Sequence, residues 1–248
     1  MKLQKSTWQE VEEYLKKNRG IIIPIGSTEQ HGPSGLIGTD AICSEIIADR
    51  IQKKYNVMIG PTLELGIAHH HLEFTGTITL RPSTLIDVLI DVITSLNHHG
   101  FTHIYFINGH GGNIATINTA FAEYYHQFSI QKKIDKSIVK CCLNNWWLTK
   151  SALEISKKYF HGAEGCHATP SEISVASYAY PDLIKKVELN PKIAPAYSNI
   201  FDAVDYRNRY SDGRIGSDSS LATKEIGEEI VMSVRDDIWT DYSAFLKS

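Results

Sequence analysis

The sequence predicts an α/β protein, a three-layer α/β/α sandwich around a mostly parallel sheet. Three observations carry that prediction. Short apolar runs at residues 21–25, 104–107 and 137–143 read as buried strands, and stretches with apolar residues at helical spacing alternate with them. Chemically capable residues follow the strands directly, in glycine-rich loops, and ligand sites of parallel sheets form at the carboxyl ends of strands. The length, 248 residues, suits a single undivided α/β domain over residues 1–248.

Composition narrows the function. A net charge of -3 gives no reason to expect nucleic acid or an anionic membrane as partner, which leaves a small-molecule substrate. No apolar run approaches the roughly 20 residues that span a bilayer. Residues 1–20 are charged and amphipathic, unlike a signal peptide. Cys43, Cys141, Cys142 and Cys166 show neither a disulfide framework nor C-x-x-C spacing, so a reducing cytoplasm is expected.

Taken in order, Thr7-Trp8-Gln9-Glu10 reads as a capping box, with Trp8, Val11, Tyr14 and Leu15 on one helical face. The strand at 21–25 leads into Gly26-Ser27-Thr28-Glu29-Gln30-His31-Gly32-Pro33, followed by Asp40. Two carboxylates and an imidazole within about a dozen residues suit zinc, manganese or iron better than calcium or magnesium. A helix is expected over 41–55, where Asp40 would also serve as an N-cap; a cap alone does not explain Glu29 and His31 beside it. Short strands are expected at 57–60 and 78–80. Between them, consecutive His69, His70 and His71 cannot all reach one ion without a sharp turn.

A helix from Pro82 through Leu96, ended by Gly100, precedes the strand at 104–107. Asn108-Gly109-His110-Gly111-Gly112-Asn113 then repeats the arrangement of strand, glycine-rich loop and histidine. It lacks the glycine spacing of phosphate-binding loops. A helix should run from 114 to about 128. After the third strand come Trp146 and Trp147, of which one should pack in the core and the other face the site. The loop 161–168 carries His167, and Thr169-Pro170-Ser171-Glu172 reads as N-cap, proline at the first helical position and first-turn glutamate. Residues 190–220 show no period and are expected to form a long functional cover. A final amphipathic helix is expected over 221–239. Glu29, His31, Asp40 and His110 should converge at the strand ends, where a bridging aspartate would support a two-metal site.

In these motifs the chain resembles the creatininase (creatinine amidohydrolase) family. The resemblance continues through Phe74-Thr75-Gly76-Thr77, His167-Ala168 with Glu172, Gly216-Ser217, and residues 222–228. It implies a creatininase-like fold, two divalent ions (Zn, Mn or Fe) and hydrolysis of a C–N bond other than a peptide bond. Glu29, His31, Asp40 and His110 would be ligands, with Asp40 bridging. Glu172 would be a further ligand or a proton carrier, and His167 would lie at the scissile bond. A hydroxide shared between the ions would attack an amide or formamide carbonyl. His71, Trp147 and Gly111 are candidate substrate contacts. A homo-oligomer, often a hexamer, is also implied. Creatininase itself has tyrosine and glutamate where this chain has Gly111 and Gly112, and that glutamate serves the metals and the base. The chain is therefore closer to members with the Gly-Gly loop. Its alternatives are a catalytically silent metal-binding scaffold, or a hydrolase of a sugar-derived lactone or carbocycle. A deep pocket lined by His71, Trp147 and His167 would favour a hydrolase.

Overall fold

The computed structural model describes residues 1–131 and 138–248. Strands β1 (Gly20–Ile25), β2 (His103–Asn108) and β3 (Lys140–Asn145) form a parallel sheet in that order. Ile21 stands opposite Ile104, which stands opposite Cys141. Ser137, where the third strand was expected to begin, lies outside the described residues. The strand expected at 57–60 is reduced to single parallel bridges, Ile59 to Ile22 and Leu63 to Ile25, on the free edge of β1. Pro61 between them has no N–H to continue a ladder. The fragment expected at 78–80 likewise makes isolated bridges, Ile78 to Thr28 and Thr79 to Gly66.

Eight helices surround the sheet among the described residues: α1 (Trp8–Leu15), α2 (Thr39–Tyr55), α3 (Pro82–His99), α4 (Ile114–Gln131), α5 (Lys150–Phe160), α6 (Pro170–Ala179), α7 (Ala203–Arg209) and α8 (Lys224–Phe245). Strand side chains alternate between the two faces. Ile21, Ile23, Ile25, Ile104 and Phe106 pack with α1, α3 and α4. Ile22, Tyr105 and Ile107 pack with α2, α5, α6 and α8. These two apolar cores make the three layers expected from the sequence.

Several boundaries differ for local reasons. The capping box of α1 forms, and Tyr14 is buried, but Trp8 is 68% exposed at the outer end of the helix. Thr223 caps α8, so that helix begins later than expected and continues to Phe245. α5 and α7 were not anticipated; each carries a capping side chain, Thr149 and Asp202. No described helix is long and apolar enough to cross a membrane.

Because residues 57–63 flank one side of β1 and β2 the other, chain connections diverge from β1 in opposite directions. Ligand crevices of open parallel sheets form at such a divergence, outside the strand ends.

Candidate active site

β1 and β2 end side by side, with Ile25 opposite Asn108. The first turn of α2 presses onto both loops that follow. A Cβ on Gly26 would stand 2.2 Å from the Ala41 nitrogen, and one on Gly109 would stand 2.1 Å from the Asp40 carbonyl oxygen. Only glycine permits that approach, and it drives Asp40 between the loops. The alternative reading of Asp40 as an N-cap is not what the structure shows. Gly38 is the N-cap, no side chain caps the helix, and Asp40 sits in the first turn. Its carboxylate is turned into the site, with Oδ1 3.0 Å from His31 Nε2 and Oδ2 3.0 Å from His110 Nδ1.

Glu29 is fully buried. Its Oε2 lies 3.3 Å from His110 Nε2, and its Oε1 lies 3.1 Å from His71 Nε2 and 3.6 Å from His167 Nδ1. Neither Glu29 oxygen has a hydrogen-bond partner, nor has Asp40 Oδ2. Buried carboxylate oxygens without partners are costly unless a cation compensates them.

The histidines agree with that demand. His31 Nδ1 is 3.0 Å from the Glu29 carbonyl, His110 Nε2 is 2.9 Å from the Ile67 carbonyl, and His167 Nε2 is 2.7 Å from the Gln30 carbonyl. A carbonyl can only accept, so the network assigns an N–H to each of these nitrogens. The opposite ring nitrogen of each histidine then faces a carboxylate. Metal-ligating histidines are oriented in this way, by donating their other N–H to a carbonyl.

Ligand atoms of Glu29, Asp40 and His110 lie within 4.8 Å of one another, as do those of His31, Asp40 and Glu172 and those of Glu29, His31 and His167. The first two sets share Asp40. The residues therefore fit divalent metal by donor chemistry and by their unsatisfied oxygens. Without a cation, burial lowers the His31 pKa, but Asp40, Glu172 and Glu29 outweigh it and raise it to about 10. His110 is likewise raised to about 9 against burial, by Glu29 and Asp40. Burial would raise Asp40, yet His31 and His110 hold it well below the usual carboxylate range. Burial, with Asp40 nearby, raises Glu172 to about 8 against the pull of His31. His71 and His167 are pushed down by burial and by neighbouring histidines, and are neutral.

Glu172 arrives from across the site as expected, in the first turn of α6, where its Oε1 accepts from the Thr169 N–H at 2.6 Å. The model of the family described as creatininase, creatinine amidohydrolase, matches residues 4–240. The chain belongs to the creatininase family. Its fold superposes on a manganese creatininase with TM-score 0.80 at 24% identity, covering 96% of this chain and 95% of that one. For a Zn–Zn creatininase variant the TM-score is also 0.80, at 21% identity and the same coverage. A stretch of 109 residues is 33% identical to a 3-dehydro-scyllo-inosose hydrolase of Thermotoga maritima, covering 44% of this chain and 35% of that protein. A stretch of 108 residues is 29% identical to the mycofactocin precursor peptide peptidase of Mycolicibacterium smegmatis, covering 41% of this chain and 43% of that protein. The matched stretches thus span less than half of either relative.

In this creatininase-family chain Asp40, His110 and Glu172 line a cavity of about 620 Å³ together with His71, Trp147, His167 and Gly111, while Glu29 and His31 lie behind its wall. The expected division of the two tryptophans is not found: Trp146 is buried and Trp147 half-buried, both pack against the core of α2, α5, α6 and α8, and both line the cavity. The loop after His110 has no room for the glutamate of creatininase itself. A Cβ on Gly112 would meet His110 Nε2 at 2.4 Å and the Ile67 carbonyl oxygen at 2.6 Å, whereas one on Gly111 meets nothing within 4 Å. Glu172 offers a carboxylate to the candidate set with His31 and Asp40.

Sequence reasoning missed Gln30, His70 and Tyr206. The Gln30 amide nitrogen reaches His71 Nδ1 at 2.9 Å and the Gly213 carbonyl at 3.0 Å, and its oxygen accepts from the Gly32 N–H. Tyr206, on α7, donates to the same Gly213 carbonyl at 2.7 Å and packs its ring 4.6 Å from that of His71. The position of Gln30 between Glu29 and His31 was its only signal; Tyr206 had none.

Proposed function

We propose that this chain is a metal-dependent amidohydrolase that cleaves a C–N bond of a small molecule, in an amide, cyclic amide or formamide, with two divalent ions of zinc, manganese or iron. The observation that carries this reading is the pair of three-residue sets sharing Asp40 beside an open cavity. Glu29, Asp40 and His110 would hold one ion and His31, Asp40 and Glu172 the other. Cations held there would supply Lewis acidity toward a carbonyl oxygen and lower the pKa of water toward about 7.

The remaining steps fall to side chains. Glu172, whose carboxyl is pushed up by burial and by Asp40 in the cation-free protein, suits a group that passes a proton between the attacking water and the leaving nitrogen. Its position in the cavity wall supports that role. His167 could share it only through Nδ1, which faces Glu29, because its Nε2–H is committed to the Gln30 backbone carbonyl. Gln30 orients His71. The cavity argues against a silent scaffold. The 33% identity to a hydrolase of an inosose supports a second reading, hydrolysis of a carbocyclic substrate at the same centre. Exposed apolar side chains such as Ile78 and Phe201 suit the homo-oligomer implied by the family.

Elemental analysis of the full chain purified without added metal tests the reading. About two equivalents per chain, lost in His110→Ala, are expected for a two-metal centre. One equivalent or none, unchanged in that variant and not restored by added metal, would overturn it. Screening of amides and formamides against the metal-loaded protein then separates the C–N reading from the carbocyclic one.

A further inference from the structure

The cavity carries a charge pattern that bears on its substrate. Among the described residues that line it there is no lysine or arginine, while Asp40, Glu164 and Glu172 contribute carboxyl groups. Glu164 accepts from the Ser156 hydroxyl at 3.0 Å, so it is already held by the wall. Arg214 is fully buried and committed elsewhere. Its guanidinium pairs with Asp212 at 2.7 Å and donates to the carbonyls of Pro191, Lys192 and Ser217. Lys192 lies 3.8 Å from Asp218 with its side chain 73% exposed. Phosphate and carboxylate recognition normally uses a bidentate arginine or a lysine, and the wall offers neither. Trp147, Tyr197 and Leu153 supply aromatic and apolar surface instead.

Among the described residues His69, His70, Trp146, Trp147 and Tyr197 line this wall without a side-chain hydrogen bond, and of these His70 is the half-buried imidazole set among the metal-type residues. His70 lines the cavity from the 3-10 turn His69–His71, and among the described residues neither ring nitrogen has a hydrogen-bond partner. His71 is engaged by Gln30 and His110 by the Ile67 carbonyl, while His69 is exposed at the outer side of the turn. The His70 ring is held 4.2 Å from that of His71 and 5.8 Å from that of Tyr206, and lies nearly parallel to His110 at 6.4 Å and 15°. An imidazole placed one ring from the metal-type residues, with both nitrogens available, is positioned to meet a substrate. Either nitrogen can donate or accept, according to tautomer.

Resting on the hydrolase reading above, we propose that the part of the substrate that lies against this wall, away from the metal-type residues, carries no anionic group and that His70 hydrogen-bonds an uncharged polar group on it, a hydroxyl or an amide. His70 is then a specificity-determining residue, and a phosphate or carboxylate on that part of the molecule is disfavoured because this wall has no cationic side chain to replace its hydration.

Calorimetric titration of the metal-loaded full chain tests this with butanohydroxamate and its counterparts ending in hydroxyl, amide or carboxylate. The hydroxamate head group anchors on metal, and the tail samples the wall. Tails ending in hydroxyl or amide should bind roughly tenfold tighter than the carboxylate tail, the scale of one desolvated polar contact. In His70→Leu that advantage should fall to that of the unsubstituted parent, with the parent's own affinity changed less than about twofold; His70→Gln should retain part of it. A carboxylate tail that binds as tightly as the hydroxyl tail to the unmutated protein overturns the proposal, whatever the variants do. So does a hydroxyl advantage that survives in His70→Leu. Failure of the parent compound to bind the metal-loaded protein would overturn the hydrolase reading, and the proposal with it.

Discussion

The two walls of the site are built on opposite principles. The wall from the ends of β1 and β2 is closed. Glu29, His31, Asp40 and His110 are each no more than 5% exposed, and three of their carboxylate oxygens have no hydrogen-bond partner. The wall from residues 161–172 is open and internally satisfied. Glu172 belongs to a complete capping box with Thr169 while it also borders the cavity, and Cys166 beside His167 is exposed. One wall leaves buried carboxylate oxygens without partners, and the other satisfies its polar groups with hydrogen bonds of its own. The first should tolerate almost no change in donor set, whereas the second should lose function without losing structure.

The largest expected effect sits where both ligand sets meet. Asp40→Asn removes the shared carboxylate and should abolish binding of both ions, with activity down about a thousandfold or more on the scale of a lost metal centre. Elemental analysis that still finds both equivalents would erase the distinction between the walls. Glu172→Gln keeps a first-turn acceptor for α6 and should melt within a few degrees of the parent. It should lose one of the two ions and about a hundredfold in rate, in the range of one proton-transfer group. A large drop in melting temperature would show that Glu172 is chiefly structural.

A smaller effect is expected at Gly112→Ala, whose Cβ would collide with His110 Nε2. Displacing a ligand's orienting contact typically weakens metal affinity by about tenfold to a hundredfold. Gly111→Ala, with open space around it, is the matched control and should bind metal normally. The gentlest test is pH. In the metal-free protein His31 and His110 are held at about 10 and about 9, so both are protonated at neutral pH. An incoming cation must displace those protons. Affinity should therefore rise with pH, by about tenfold per unit for each proton released below those values. Calorimetry in buffers of different ionisation enthalpy would detect the release; its absence would mean that neither histidine is a ligand.

Much of this was legible before the structure. Apolar runs followed by glycine-rich loops marked β1 and β2, because a strand buried on both faces must be apolar throughout and the chain must turn sharply at its end. Thr169-Pro170-Ser171-Glu172 stated the start of α6 outright. Residues 57–63 were not legible as single bridges, because a short apolar run carries no record of how many partners it finds. α7 and Tyr206 were hidden in a segment without apolar periodicity, and His70 was indistinguishable from His69 and His71 in a run of three.

The amino-acid order determines the donor types, their place after strands and the caps that start the helices, because these follow from backbone sterics and from periodicities of a few residues. Which donors come together in one candidate set is decided only by packing. Glu29 and His31, two residues apart, meet in a set with His167 but join Asp40 in different ones, while Glu172 crosses more than a hundred residues to join His31. The direction of a lone pair depends on where the opposite ring nitrogen finds a carbonyl and on how closely α2 can settle onto Gly26 and Gly109. Those are distances between segments far apart in the chain, and they exist only once the sheet and its two helical layers have closed.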